Sequence, residues 1–436
     1  MVVAEAMVTA RDGEDGSVWA TTRARRLLPV VFVTYSLAYL DRSNYSIGAA
    51  GGLAKDLDIT AGTSALLGAL FFLGYFLFQI PAAHYAEHRG VKKLVFWCLI
   101  GWGVFASLQG VLPWVPALMV NRFLLGVVEA AILPAMLVFL THWFTSRERG
   151  RADTVLILGN PITVLWLSAL SGWLVSVTSW RWMFIIEGVP AIIWAFVFAA
   201  LTDDSPEQAS WLDDIERTAL VGALREEQRR LPDPGGYLRA LRSRSVVLLS
   251  IQYLLWSIGV YGFVFWLPTI IKAGGGVGIT VTGLLSAVPY VLAVILMLVV
   301  SHASDVSGRR RGYVWPFLIL AGLAFYGSFQ LGPGQFWLSF VLLILAAGFM
   351  YAPYGPYFAL IPELVPRRVA GASMALVNSF GALGGFVGAY VVGWLEGRFG
   401  SGPAFVFMAA TLLLAGLLML VVPDSQVAHA EPTPSR

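Results

Sequence analysis

The sequence predicts an all-α membrane protein of twelve transmembrane helices, arranged as two six-helix halves. Three observations carry that expectation: the composition, the number of long apolar runs, and a repeat at half the chain length. Of 436 residues, 58% are hydrophobic and 13% charged, with a mean hydropathy of +0.74. Soluble domains run near 45–50% apolar with about 25% charged, so this composition leaves little soluble mass. A helix crosses a bilayer in about 20 apolar residues. Twelve such runs occur, at 27–50, 63–83, 94–112, 117–140, 153–177, 183–201, 246–271, 280–301, 313–331, 336–358, 371–394 and 403–422. They are continuous rather than alternating and too long for strands, which argues against a membrane β-barrel.

Each connecting segment follows from its charge. With the amino terminus placed inside, 23 of the 29 Lys and Arg residues fall in inner segments and four in outer loops, the other two lying within spans. Positive residues mark the cytoplasmic side, so both termini are expected there, in a multi-pass plasma (bacterial inner) membrane. Residues 1–26 read as a cytoplasmic tail. Their polar start, with Asp12, Glu14 and Asp15, lacks the basic start and apolar core of a signal peptide. Residues 423–436 form a second tail. The first bundle takes 27–201 and the second 246–422.

Between them, 202–245 is a polar cytoplasmic linker. It opens on "DDSPEQASWL", which predicts a capped helix with Ser205 as N-cap, Pro206 in the first turn and Gln208 three residues on. "LDDIERTALVGALREEQRR" continues it as an amphipathic helix. The repeat is visible in "AEHRGVKK" (86–93) after span 2 and "SDVSGRRR" (304–311) after span 8. Glu87 matches Asp305, Gly90 matches Gly308, and Lys92 matches Arg310, all 218 residues apart, which is half the chain. Duplicated six-helix units are a transporter architecture with the substrate site between the halves.

Four ionisable residues are expected deep within spans: Asp41 and Arg42 in span 1, Arg122 and Glu129 in span 4. Each costs about 2.5–3.5 kcal/mol at a helix centre on insertion scales, so they must face the bundle interior. Arg122 and Glu129 are seven residues apart on one helix face, about 10 Å along the axis, with Gly126 between them. Tyr35, Tyr39 and Ser46 share the stripe of Arg42, while Asp41 is turned about 100° away. Neighbouring residues on a helix do not face each other, so Asp41 and Arg42 do not neutralise one another. An arginine facing a cavity is a receptor for a carboxylate. An acid whose distance from an arginine changes would change its proton affinity, the physical core of proton coupling. The alternative is that Asp41–Arg122 and Arg42–Glu129 are ion pairs that join spans 1 and 4.

The second half offers no charge at mid-span. Its polar groups are aromatic and amide: Tyr253, Trp256 and Tyr261, Tyr290, Tyr351, Tyr354 and Tyr357, and Asn378. With Tyr75, Gln79 and Asn160 from the first half, these suit hydroxylated ligands, because aromatic faces pack on C–H surfaces and amides both donate and accept.

Several stretches together resemble the anion:cation symporter branch of the major facilitator superfamily. They are "AYLDRSNYSIG" in span 1, "LGYFLFQIPAAHYAEHRGVKK" across span 2 and its loop, "NRFLLGVVEAAILPAM" in span 4, "WRWMFIIEGVPA" in span 6 and "NSFGALGGFVGAYVVG" in span 11. Within the branch, "TYSLAYLDRSNYSIGAAGGL", "LILGNPITVLW" and "SIGVYGFVFWLPTIIK" are most similar to bacterial 2-ketogluconate-type transporters. The resemblance covers nearly the whole chain. It implies proton-coupled uptake of a sugar acid by alternating access, with Arg42 on the substrate carboxylate, Asp41 and Glu129 taking up protons, and Arg122 partnering an acid. It places Tyr75, Asn160 and Asn378 at the sugar-acid contacts; Tyr39, Trp256 and Tyr354 join them from the residue reading. The loops depart from the family pattern at Glu87-His88, where Asp-Arg is usual, and at Val306, where Arg is common. Glu87, Gly90, Lys92, Asp305, Gly308 and Arg310 are the expected gating-loop residues.

No catalytic residue, metal or cofactor is expected: the sequence has no HExxH and no Cys or His ligand cluster, and Cys98 is its one cysteine. The expected partners are a small organic anion, protons and the lipid bilayer, with no nucleic acid, and the chain is expected to act as a monomer. Uptake of a tartrate- or phthalate-like carboxylate, or proton-driven efflux on the same fold, are the alternatives.

Overall fold

The computed structural model describes residues 21–229, 242–331, 333–365 and 370–423, apart from a few side chains within helices, among them those of Asp41 and Glu87. The described residues are helical, with no strand. The first six spans are α1 (Thr22–Gly48), α2 (Ala61–Arg89), α3 (Val91–Val111), the pair α4 (Val115–Glu129) and α5 (Ile132–Trp143), α6 (Ser146–Val177), and α7 (Trp180–Leu201). After the linker helix α8 (Asp214–Arg229) come α9 (Arg244–Gly275), α10 (Ile279–Ser307), α11 (Trp315–Gln330), the pair α12 (Phe336–Tyr351) and α13 (Tyr354–Leu364), α14 (Ala370–Phe399), and α15 (Ser401–Met419).

Local chemistry sets these boundaries. Thr21, Thr60, Ser179 and Ser243 precede α1, α2, α7 and α9, and each hydroxyl accepts from the backbone N–H three residues on. Gly90 (φ +93°) and Gly308 (φ +66°) end α2 and α10 in a conformation that side chains disfavour, so the repeated glycine of the two loops has a backbone reason. Span 4 is interrupted at Ala130–Ala131, four residues ahead of Pro134, which has no N–H for the carbonyl there. Span 10 is interrupted likewise, beside Pro353 and Pro356.

Eleven of the described spans are long and apolar enough to cross a membrane. The twelfth is α1. At 27 residues it is long enough, but its polar residues disqualify it on composition. Those residues are hidden rather than lipid-facing: Thr34, Arg42, Asn44 and Ser46 are all buried. Small residues let the surrounding helices close in. A Cβ on Gly126 would fall 1.9 Å from the Phe71 carbonyl oxygen, and one on Gly74 2.2 Å from that of Phe123. Only glycine allows that approach of α2 to α4.

The linker departs from expectation. Ser205 heads a single 3-10 turn, Pro206–Gln208, with no side-chain cap, and the helix begins only at Asp214. The preceding segment is committed elsewhere. Asp204 accepts from Val91 N (2.8 Å) and Lys92 N (2.7 Å) at the start of α3, and Trp211 stacks on Trp143 with centroids 5.3 Å apart. Residues 1–20, 230–241 and 424–436, including most of both predicted tails, lie outside the described residues.

Candidate functional site

A cavity of about 70 Å³ lies between the two sets of six helices. The first set contributes Tyr35, Tyr39, Arg42, Gln79, Asp153 and Asn160; the second contributes Tyr253, Tyr261, Tyr354, Phe358 and Asn378. It extends from Arg42 to Asp153, two turns into α6, toward the end of the molecule that carries the Gly90 and Gly308 loops. The opposite end is closed by contacts between the halves. Tyr45 stacks on Phe265 (5.3 Å), the Lys272 ammonium donates to the Ala50 carbonyl, and a Cβ on Gly172 would meet Gly283 Cα at 3.0 Å.

Arg42 is the electrostatic centre. Its Nε and Nη2 both lie 2.7 Å from Glu129 Oε1, and Glu129 is fully buried. The guanidinium also faces the rings of Tyr75 (4.5 Å) and Tyr39 (4.9 Å), and Nη1 reaches toward the Tyr261 hydroxyl at 3.5 Å. The arginine thus stands at the cavity wall with its own acid behind it and aromatic faces around it. Ring faces attract a cation without neutralising it.

Arg122 sits deeper. Its Nε donates to Leu67 O and its Nη1 to Gln109 Oε1, both at 3.2 Å, with the Tyr45 ring 4.6 Å away. These contacts tie α4 to α2 and α3. The sequence expects Arg122 to partner an acid; Glu129 pairs with Arg42, and the side chain of Asp41 lies outside the described residues.

Of the substrate-contact candidates, Tyr39, Arg42, Asn160, Tyr354 and Asn378 line the cavity. Tyr75 and Trp256 do not. Tyr75 backs Arg42, while Trp256 is fully buried, donates its indole N–H to Met350 O (3.1 Å), and packs 4.5 Å from the Tyr354 ring. Glu129 is absent from the wall and pairs with Arg42, which lines it.

Among the loop candidates, Lys92 Nζ lies 3.5 Å from Asp203, and Arg310 pairs with Asp305 and with Glu363 (3.1 Å). The first pair joins the first half to the linker and the others stay within the second half; none of them joins the two halves. The Glu87 side chain lies outside the described residues; in the first half the cap on the following helix comes from Asp204.

Two acids correct the sequence reading. Glu187 is a fifth intramembrane ionisable residue. It is buried in α7 and accepts from Asn44 Nδ2 (2.9 Å) and Ser171 Oγ (2.6 Å), joining α1, α6 and α7. The run beginning at 183 puts it near a helix end, but α7 starts at Trp180, two turns earlier. Asp153 lies at the expected edge of span 5 and reads as a terminal residue, yet α6 begins at Ser146 and carries Asp153 into the cavity wall.

Two six-helix bundles that meet around a cavity with a buried arginine on its wall suit a transporter. The sequence matches the family described as Major Facilitator Superfamily over residues 31–277 and again over 275–436. The chain belongs to that family, whose members are transporters and not enzymes. It is 31% identical over 94% of its length, and 94% of the relative's, to a "Putative tartrate transporter" of Agrobacterium vitis. It is 30% identical over 91% of its length, and 93% of the relative's, to a "Quinolone resistance transporter" of Acinetobacter baumannii. Its fold is like that of a bacterial homolog to the human lysosomal transporter Spinster, solved in an inward-facing, occupied conformation. That match has a TM-score of 0.74 at 16% identity, covering 92% of this chain and 97% of the other.

Proposed function

We propose that this chain is a proton-coupled symporter that takes up a small organic anion, a sugar acid such as 2-ketogluconate or a related aldonate or uronate, across the bacterial inner membrane. The observation that carries the reading is the Arg42–Glu129 pair at the cavity wall. One guanidinium serves two acids in turn. A substrate carboxylate that binds Arg42 displaces Glu129, and an uncompensated buried carboxylate is costly. A proton on Glu129 removes that charge, so anion and proton enter together. Asp41, on the same helix one residue before Arg42, is the second proton site, and Arg122 is its partner. Gln79, Asn160, Asn378 and the tyrosine hydroxyls supply the bonding groups that a polyhydroxylated acid requires.

Alternating access follows from the placement of the closed and open ends. The two bundles, 27–201 and 246–422, rock about the cavity, and the loops at Gly90 and Gly308 meet across the other end when it closes. Both termini lie on the cytoplasmic side, where the basic loops are. We take the monomer as the working unit.

The test is transport in proteoliposomes. Glu129→Gln should abolish uptake driven by a proton gradient and leave substrate counterflow intact. If gradient-driven uptake survives, Glu129 is not the coupling acid. A second reading, proton-driven efflux, has the resistance transporter among the relatives in its favour. Net movement of labelled acid against the proton gradient would select it.

A further inference from the structure

The cavity wall is unusually rich in acceptors that lack donors. Asp153 Oδ1, Gln79 Oε1 and Asn160 Oδ1 are buried and receive no hydrogen bond, and all three residues line the same cavity as Arg42. Buried acceptors without donors are costly, and their persistence in a cavity points to a ligand that supplies the donors. Ionised, Asp153 adds a negative charge, and a cation beside it favours that form. The Arg42–Glu129 pair is neutral as a unit, so a carboxylate on the wall opposes a purely anionic ligand. Arg149, one turn earlier on α6, donates its Nη2 to the Phe144 carbonyl (3.2 Å).

The positions of the two charges set the ligand's shape. A Cβ on Gly159 would lie 3.3 Å from Ser36 N, which brings α1 and α6 level there. Both helices run away from the loop end. Arg42 is six residues beyond Ser36, and Asp153 six residues before Gly159. At 1.5 Å per residue, the two Cα atoms are about 18 Å apart along the axis. The side chains close part of that gap and leave room for a body such as one ring with its substituents. Tyr35, Tyr39, Tyr253 and Phe358 wall the space between, and aromatic faces attract both flat rings and cations.

We infer that the cavity accepts zwitterionic organic acids, with the carboxylate on Arg42 and an ammonium group, separated from it by a flat body, on Asp153. Asp153 is then the residue that selects for the cationic end. An ammonium has donors and no acceptor, which suits the undonated Asp153 Oδ1; Asn160, two turns further along α6, is left to meet donors on the body of the ligand. This inference rests on the anion-binding role of Arg42 proposed above and not on the choice of a sugar acid, which has no cationic end.

Three matched probes test it on the purified full-length protein at neutral pH: para-methylbenzoate, para-(hydroxymethyl)benzoate and para-(aminomethyl)benzoate. Binding is measured by calorimetry. The aminomethyl acid should bind about tenfold more tightly than the other two, the scale of one charge-assisted bond. In Asp153→Asn, the three acids should bind alike, with the methyl acid bound at least as tightly as by the unaltered protein because the opposing carboxylate is gone, which also shows that the variant is folded. Arg42→Ala should lose all three. Equal binding of the three acids by the unaltered protein overturns the inference without need of any variant. So does a preference that survives Asp153→Asn, or a hydroxymethyl acid that matches the aminomethyl one. In those cases loss of binding in Arg42→Ala leaves the anion reading standing. If no acid binds, or Arg42→Ala changes nothing, the anion reading itself fails and this inference falls with it.

Discussion

The two halves share a fold and divide the chemistry. Among the described residues, the first six spans bury Arg23, Arg42, Arg122, Glu129 and Glu187, whereas the second six bury no charged side chain. The second half contributes the hydroxyls of Tyr253, Tyr261 and Tyr354, the ring of Phe358 and the amide of Asn378 to the same cavity. A duplicated scaffold has therefore become an electrostatic half and a contact half. Charge in one half makes binding and proton movement interdependent, because buried charges must be balanced wherever they sit. Neutral groups in the other half change shape and selectivity without disturbing that balance.

The division can be broken from the charged side first. Arg42→Ala strands Glu129 without its cation, and breaking a buried pair costs about 3–5 kcal/mol. The expected result is loss of substrate binding together with a lower unfolding temperature in detergent. The double variant Arg42→Ala/Glu129→Gln removes both charges; it should regain much of that stability and none of the binding. If the double variant is no more stable than the single one, the pair does not carry the electrostatic balance of the first half.

A smaller effect is expected from the neutral side. Asn378→Ala removes one hydrogen-bonding amide and should weaken substrate binding by roughly 1 kcal/mol, about fivefold, with the proton dependence of uptake unaltered. A shifted pH profile in that variant would show that the second half takes part in coupling after all. The smallest effect concerns the repeated loops. Asp204→Ala removes the cap on α3, where two backbone N–H groups are held, and should cost about 1 kcal/mol of stability. In the second half, Arg310 bridges Asp305 and Glu363 beside the matching loop. Arg310→Met should cost less, since partly exposed ion pairs are worth about 0–1 kcal/mol.

The sequence made Arg42, Asn160, Tyr354 and Asn378 legible as wall residues, because a charge or amide in an apolar run has few tolerable environments. The glycine of each loop was legible from the repeat, and its positive φ explains it. Glu187 and Asp153 were not legible. Apolar runs mark where lipid contact begins, but α6 and α7 begin one to two turns before those runs, so both acids read as helix ends. Trp256 and Tyr75 read as wall residues and stand behind the wall, since periodicity assigns a face but not a depth. The linker misled for a related reason. Ser205-Pro206 is a sound helix start by local rule, yet Asp204 and Trp211 are drawn to α3 and Trp143, and tertiary contact overrode the cap.

By itself the sequence determined the class of fold, the number of spans and the presence of buried charges, since each follows from the cost of placing polar groups in hydrocarbon. Only the tertiary structure decided which acid holds Arg42, that Asp153 enters the same cavity, and which end of that cavity is closed. Those depend on which helices lie side by side. That is fixed by long-range contacts such as Gly126 against Phe71 and Gly172 against Gly283, which leave no local signal in the chain.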